Sequence, residues 1–462
     1  MSEEKKVEEK KTDEKKISRR AYLKYAGGVV AVGAIAAAGY GAYQFYGKPV
    51  TPSPTTPTST LTPTVTTTPT TGGQKLTVKV GGTKPLTGSA SIFGIDEKRG
   101  LEIWANQWVN DQGGIKAGDG NTYNVELTIY NDESKPENVS RFYEKLINED
   151  KVDFLMGPVW GPLGQATVAT VEKYKKLEIY GESTFDPAQW KDWKYVIMIQ
   201  TNGSEYLISM IDMIVKKIIP QDPTAKDVAI VYTDDAFANV AGTWGLAYAK
   251  KQSQLNIVFT EKVSFDSTDF TPVLTRVKAA KPSILLFEAG SKAPLVAKGV
   301  REIGLDVNML YCGTGAVYQS FYDGLGPKFG EDMVSVTQWV VGENYPATYG
   351  PTEDWFDSQF RKLNNAEPGY TAGTGFVQGL TLQGAMEKCT KPLDSDAMRQ
   401  VVCTQKFTSF WGDMAWDPVT GWQTGHQMSI LQWQDGKPIC IYPDSVQKAP
   451  IRYPMPKWST LK

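Results

Sequence analysis

The stretch TPVLTRVKAAKPSILLF, residues 271–287, holds two alternating grammars side by side. Thr271-Pro272 offers a cap and a proline at the first turn of a helix, since proline lacks the N–H that a first turn leaves unpaired anyway. After Lys281-Pro282 the run Ser283–Phe287 is apolar without alternation, as expected of a strand covered on both faces. Working outward, Val228–Tyr232 repeats the covered-strand pattern. Ahead of it, Leu207, Met210, Ile211, Ile214, Val215 and Ile218 form one stripe at helical spacing.

The same grammar runs earlier. Leu76–Val80 and Val125–Tyr130 read as strands, as do Phe154-Leu155-Met156 (ending at Gly157), Glu178–Tyr180 and Tyr195–Gln200. Between them, Ser134 and Glu137 have the spacing of a capping box, and Val139, Phe142, Tyr143, Leu146 and Ile147 continue at helical period. Strands alternating with amphipathic helices imply parallel sheets with helices on both faces, here in two successive α/β units. Neither a GxGxxG nor a GxxxxGK[ST] loop follows any strand, which speaks against a dehydrogenase or an NTPase.

Composition narrows the chemistry. A formal net charge of -2 over 462 residues gives no global field for nucleic acid or an anionic membrane. The one histidine, His426, leaves little imidazole for hydrolytic or metal chemistry, so neither metal nor cofactor is expected. Cys312, Cys389, Cys403 and Cys440 include no CxxC pair; disulfides and buried free thiols both remain open.

Residues 1–74 read as something other than the fold. Residues 1–17, mixed Lys, Glu and Asp, bury too little to order and are expected as a disordered cytoplasmic tail. SRRAYLK (18–24) precedes an uncharged stretch, Ala26–Gly47, long enough at about 1.5 Å per residue to cross about 30 Å of hydrocarbon. The basic flank orients the remaining chain outward. It reads as an anchor over 18–47, or equally as a twin-arginine-like export signal with Tyr22 in place of the usual Phe. The Thr/Pro tract over 48–74 reads as an extended stalk. The sequons Asn138-Val-Ser140 and Asn202-Gly-Ser204 are compatible with an external location.

Several short signatures then occur in order: Pro85-Leu86-Thr87-Gly88, Phe93-Gly94, Gly113-Gly114-Ile115, Gly157-Pro158, Asp266–Pro272, Arg301–Leu305, Gln432–Lys437 and Tyr442-Pro443. Together they resemble the branched-chain-amino-acid type of ABC-transporter solute-binding protein, the type I periplasmic binding fold, over nearly all of residues 75–462. The resemblance implies two Rossmann-like lobes, 75–200 with 338–415 and 201–337 with 416–462. Three crossings join them, near Gln200-Thr201, Thr337–Trp339 and Trp411–Asp417. It also implies a monomer that captures a small solute between the lobes and delivers it to an ABC permease at the extracellular face of the membrane.

By the same resemblance, ligand contacts are expected from Phe93, Trp160, Gly161, Ser183 and Thr184 on the first lobe. On the second they are expected from Phe237, which stands where a tyrosine is common, and from Thr314. Thr314 is a departure, since amino-acid binders place a carboxylate there for the ligand's ammonium; Glu288 is the neighbouring substitute, or else a solvated or salt-bridged strand end. Trp339, near a crossing, adds an aromatic wall. Trp411, Trp416, Trp422 and Trp433 read as structural. The implied solute is a branched-chain or other neutral amino acid, with an amide, urea-like or aromatic compound as the alternative. A ligand sensor would need a transducing domain beside the anchor, and an enzyme would need a nucleophile–base pair that one histidine does not supply.

Overall fold

The computed structural model describes residues 73–181, 184–187 and 193–461. The tail, anchor and export signal, the stalk up to residue 72, and Ser183 lie outside the described residues. Among the described residues no helix is long and apolar enough to cross a membrane.

The first sheet is built from β1 (Lys75–Lys84), β2 (Ile115–Lys116), β3 (Thr122–Asn131), β4 (Phe154–Met156), β5 (Glu178–Tyr180) and β6 (Val196–Met198), in the order β2-β3-β1-β4-β5-β6. All neighbours run parallel except β2 with β3. The second combines β7 (Asp227–Thr233), β8 (Asn256–Val263), β9 (Ile284–Glu288), β10 (Met309–Tyr311) and β11 (Val334–Thr337) with the late strands of the chain. A two-stranded ribbon, β12 (Phe407–Ser409) and β13 (Gly412–Met414), intervenes before β14 (Ser429–Gln434) and β15 (Lys437–Tyr442). The second sheet has the order β15-β14-β11-β10-β9-β7-β8, with only β14 running against the others, antiparallel to both β11 and β15.

Period-two geometry explains the unbroken apolar runs, because alternate residues of one strand enter different cores. On β4, Phe154 and Met156 join one cluster and Leu155 another; on β6, Ile197 parts from Val196 and Met198 in the same way. In the second sheet Leu285 and Phe287 face one side, Ile284 and Leu286 the other. Trp411, Trp416 and Trp433 are buried, in keeping with their structural reading. All four cysteines are buried free thiols, which resolves that alternative.

Two helices of the first half meet at backbone distance. A Cβ on Gly100, in the helix Ser91–Ile103, would lie 1.8 Å from the carbonyl oxygen of Ala372. One on Gly375, in the helix Tyr370–Met386, would lie 1.9 Å from that of Glu97. Only glycine permits such an approach, and it fixes the start of each helix at the same end of the first sheet.

Three local expectations change. The helix after β3 starts at Pro136 with no side-chain cap. Ser134 instead adopts φ 59, donates its hydroxyl to Thr87 O and accepts from Ala90 N, pinning the loop after β1. The helix Thr271–Ala280 likewise has no side-chain cap, and Asp269 accepts from Thr271 N. Asn202 is fully buried, donating to Phe185 O and accepting from Ser204 N, so that sequon is structural in the folded chain.

Candidate functional site

The carboxyl ends of the parallel strands form the walls of a cleft. Beneath the first wall, Lys84 at the end of β1 is fully buried, 3.1 Å from Glu97 Oε1, and donates to Gly157 O and Gln378 Oε1. Burial lowers its pKa against the opposing pull of Glu97. Gln378 donates in turn to Ile179 O at 3.0 Å, so one polar knot ties the ends of β1, β4 and β5 to the helix Tyr370–Met386. A buried charge is tolerable only when paired and hydrogen-bonded, and this one is both.

Above that knot the wall is presented by loops. Phe93 lies in the first turn of the helix Ser91–Ile103 and is half-buried. Trp160 precedes the helix Gly161–Tyr174 with φ 85, a region an aromatic residue rarely adopts, and is more than a third exposed. A Cβ on Gly161 would come within 2.5 Å of the Thr184 side chain, so the two are in contact and Thr184 is buried.

On the second wall, Asp235 caps the helix Ala236–Ala249 by accepting from Ala238 N, while Thr233 donates to its other oxygen at 2.6 Å. Phe237 packs edge-on against Tyr206, centroids 4.9 Å apart. Glu288, at the end of β9, is neither solvated nor salt-bridged. Its carboxyl is buried and accepts from Tyr311 Oη, from Gly290 N at 2.9 Å and from Thr314 N at 3.3 Å. Burial pushes its pKa up to about 7. It braces the loops that form the wall.

Between the walls lies a cavity of about 310 Å³. Ser89, Ile92, Phe93 and Tyr370 line it from one side; Tyr206, Thr314, Tyr318, Phe321 and Thr337 line it from the other. Phe93 and Tyr318 face each other with centroids 6.2 Å apart. Farther along the cleft the helices Gly161–Tyr174 and Ala236–Ala249 approach one another.

Of the residues singled out in the sequence, Phe93 and Thr314 line this cavity, and Phe237 backs Tyr206. Trp160, Gly161 and Thr184 cluster on the first wall outside the cavity lining. Trp339 belongs to the core instead: it is 1% exposed and packs edge-on against Phe356 and Phe410. Tyr206, Tyr318 and Tyr370 were missed. Each sits at the N-cap or in the first turn of a helix, and that position is the signal they share.

Three crossings join the halves, and their residues bond to one another. Thr201 N donates to Gln338 Oε1, and Gln338 Nε2 donates to Thr201 O and to Tyr206 Oη. The Thr201 hydroxyl is 2.8 Å from His426 Nδ1, and the His426 ring stacks on Trp411 at 4.1 Å. Desolvation lowers the His426 pKa to about 3, so the ring is neutral. The third crossing therefore lies at His426, past the expected Trp411–Asp417. The segment after β13 stays on the first half: Trp416 Nε1 donates to Met198 O, Met198 N to Gly421 O, and Arg399 to the carbonyls of Pro418 and Val419.

This architecture is matched by comparison with known proteins. A family model described as periplasmic binding protein matches residues 77–438. The Leu/Ile/Val-binding protein homolog 7 of Brucella abortus (strain 2308) is 22% identical over 398 residues, covering 82% of this chain and 94% of its own length. A branched-chain amino acid transporter substrate-binding protein from Streptococcus pneumoniae, in complex with isoleucine, superposes with TM-score 0.64 at 19% identity, over 82% of this chain and all of its own. A solute-binding protein of an ABC transporter from Rhodopseudomonas palustris BisB5, in complex with 3,4-dihydroxybenzoic acid, gives 0.61 at 22%, over 78% of this chain and 95% of its own. With two parallel-dominated α/β sheets, a cleft at their strand ends and a family match over most of its length, the chain belongs to the periplasmic binding protein family, as a substrate-binding protein of the kind that serves ABC transporters.

Proposed function

We propose that this protein captures a small organic solute in the cleft between its two sheets, closes on it about the three bonded crossings, and presents it to an ABC permease. The observation that carries this reading is the cavity itself, since it draws its lining from both halves and closure and binding are thereby one event. Phe93 and Thr314 contact the solute together with Tyr206, Tyr318 and Tyr370. Trp160, Gly161 and Thr184 form the adjoining part of the first wall, and Phe237 supports Tyr206.

The relatives bind isoleucine in one case and 3,4-dihydroxybenzoic acid in another, which supports a small carboxylic acid as the solute. The sequence of residues 18–47 supports retention at the outer face of a membrane.

A thermal-shift screen of the full chain against amino acids and aromatic acids tests the reading. A ligand held only by the folded state adds about 2.7 kcal/mol of stability at a hundredfold excess over Kd. A shift that disappears in F93A supports capture in this cleft; no shift across the panel overturns it.

A further inference from the structure

An α-amino acid brings an ammonium into a cleft that excludes water, and that ammonium needs an anion within hydrogen-bond reach. Two acids, Asp235 and Glu288, stand at the strand ends of the second wall, and both are already engaged. Asp235 accepts from Ala238 N and from the Thr233 hydroxyl. Glu288 is 0% exposed, with Oε1 taken by Gly290 N and Thr314 N and Oε2 by the Tyr311 hydroxyl. Burial also favours its protonated form. Under the first wall, the Lys84 ammonium is matched by Glu97.

None of the described residues that line the cavity is charged. What they offer is aromatic surface, from Phe93, Tyr206, Tyr318, Phe321 and Tyr370, and hydroxyl groups, including those of Ser89, Ser291, Thr314 and Ser320. Hydroxyls donate to a carboxylate, and aromatic side chains pack edge or face against a flat ring.

We propose that the solute is an aromatic carboxylate lacking an ammonium group, its ring against Phe93 and Tyr318 and its acid among the cavity hydroxyls. The proposal rests on the reading of this cleft as the solute site. It departs from the neutral amino acid that the sequence resemblance implies.

Isothermal titration of the full chain with pairs that differ only in the ammonium decides the matter: hydrocinnamate against phenylalanine and isocaproate against leucine, with benzoate as a rigid ring acid. Hydrocinnamate and benzoate should bind about tenfold or more tightly than phenylalanine, a difference of about 1.4 kcal/mol or more. F93A should weaken both ring acids, and T314D should move the preference toward phenylalanine. Tighter binding of phenylalanine or leucine than of its deaminated partner overturns the proposed class while leaving the cleft reading intact. Isocaproate binding more tightly than either ring acid overturns the aromatic part. No binding by any member, or binding unchanged in both F93A and T314D, removes the cleft reading and this proposal with it.

Discussion

Gln338 and Thr201 form a reciprocal pair of hydrogen bonds, Thr201 N to Gln338 Oε1 at 3.0 Å and Gln338 Nε2 to Thr201 O at 2.8 Å. A side-chain amide thus takes the place of a peptide group from a neighbouring strand and joins two of the three crossings without a sheet. Both residues are buried, so the bonds have no water to replace them.

Q338L should therefore strand the Thr201 N–H and C=O. Unsatisfied buried groups cost about 1–3 kcal/mol each, so a loss of about 2–6 kcal/mol is expected, read as a lower urea midpoint with an unchanged slope. A variant as stable as the parent would show that the pair contributes little.

Glu288 gives the chain a stability term that depends on pH. Its folded pKa, up to about 7, exceeds its reference of 4.5, so the contribution is present in full below 4.5 and is lost as pH rises through 7. E288Q keeps the acceptor for Gly290 N and Thr314 N and removes the titration. The stability difference between E288Q and the parent should move in favour of the variant by about 3 kcal/mol between pH 4.5 and about pH 8, measured by denaturant titration at each pH. Parallel pH profiles for the two proteins would contradict this.

The helix pair at Gly100 and Gly375 tolerates no side chain. A methyl at G375A would lie 1.9 Å from a carbonyl oxygen that belongs to a helix backbone, so the helices must separate. A destabilisation of about 3 kcal/mol or more is expected by thermal or chemical unfolding, at the upper end for overpacking. A small effect would mean that the two helices slide apart readily.

Phe93 and Trp339 should separate binding from stability. F93A removes a half-buried ring at the cavity and should weaken solute binding about tenfold or more, with a modest change in Tm. W339A opens a void between Phe356 and Phe410 and should cost about 3–5 kcal/mol of stability. Equal effects of both on affinity would place Trp339 in the binding path after all.

The fold was legible where periodicity is strong. Val228–Tyr232 and Ser283–Phe287 read as covered strands because each residue finds a core on one face or the other, and the structure puts them in adjacent strands. Local polar chemistry was harder. Ser134 had the spacing of a cap but bonds a loop distant in sequence, and the third crossing moved to His426 because Trp416 and Arg399 hold the preceding segment to the first half by bonds that no local pattern encodes. At the site, Phe93 and Thr314 could be placed by family order. Tyr318 and Tyr370 come together only through the apposition of two separately folded sheets, which sequence spacing does not report.

The helix Tyr370–Met386 covers one face of the first sheet, yet the chain supplies it only after β7–β11 of the second. A chain emerging in order from its N-terminus therefore carries β1–β6 with Trp104, Gly100 and the Lys84–Glu97 pair still uncovered while it makes the second sheet. The half that begins first is completed only after β7–β11 of the other have been made. Until Gly375 reaches Glu97, this face stays uncovered, and transiently exposed apolar surface of that kind favours aggregation.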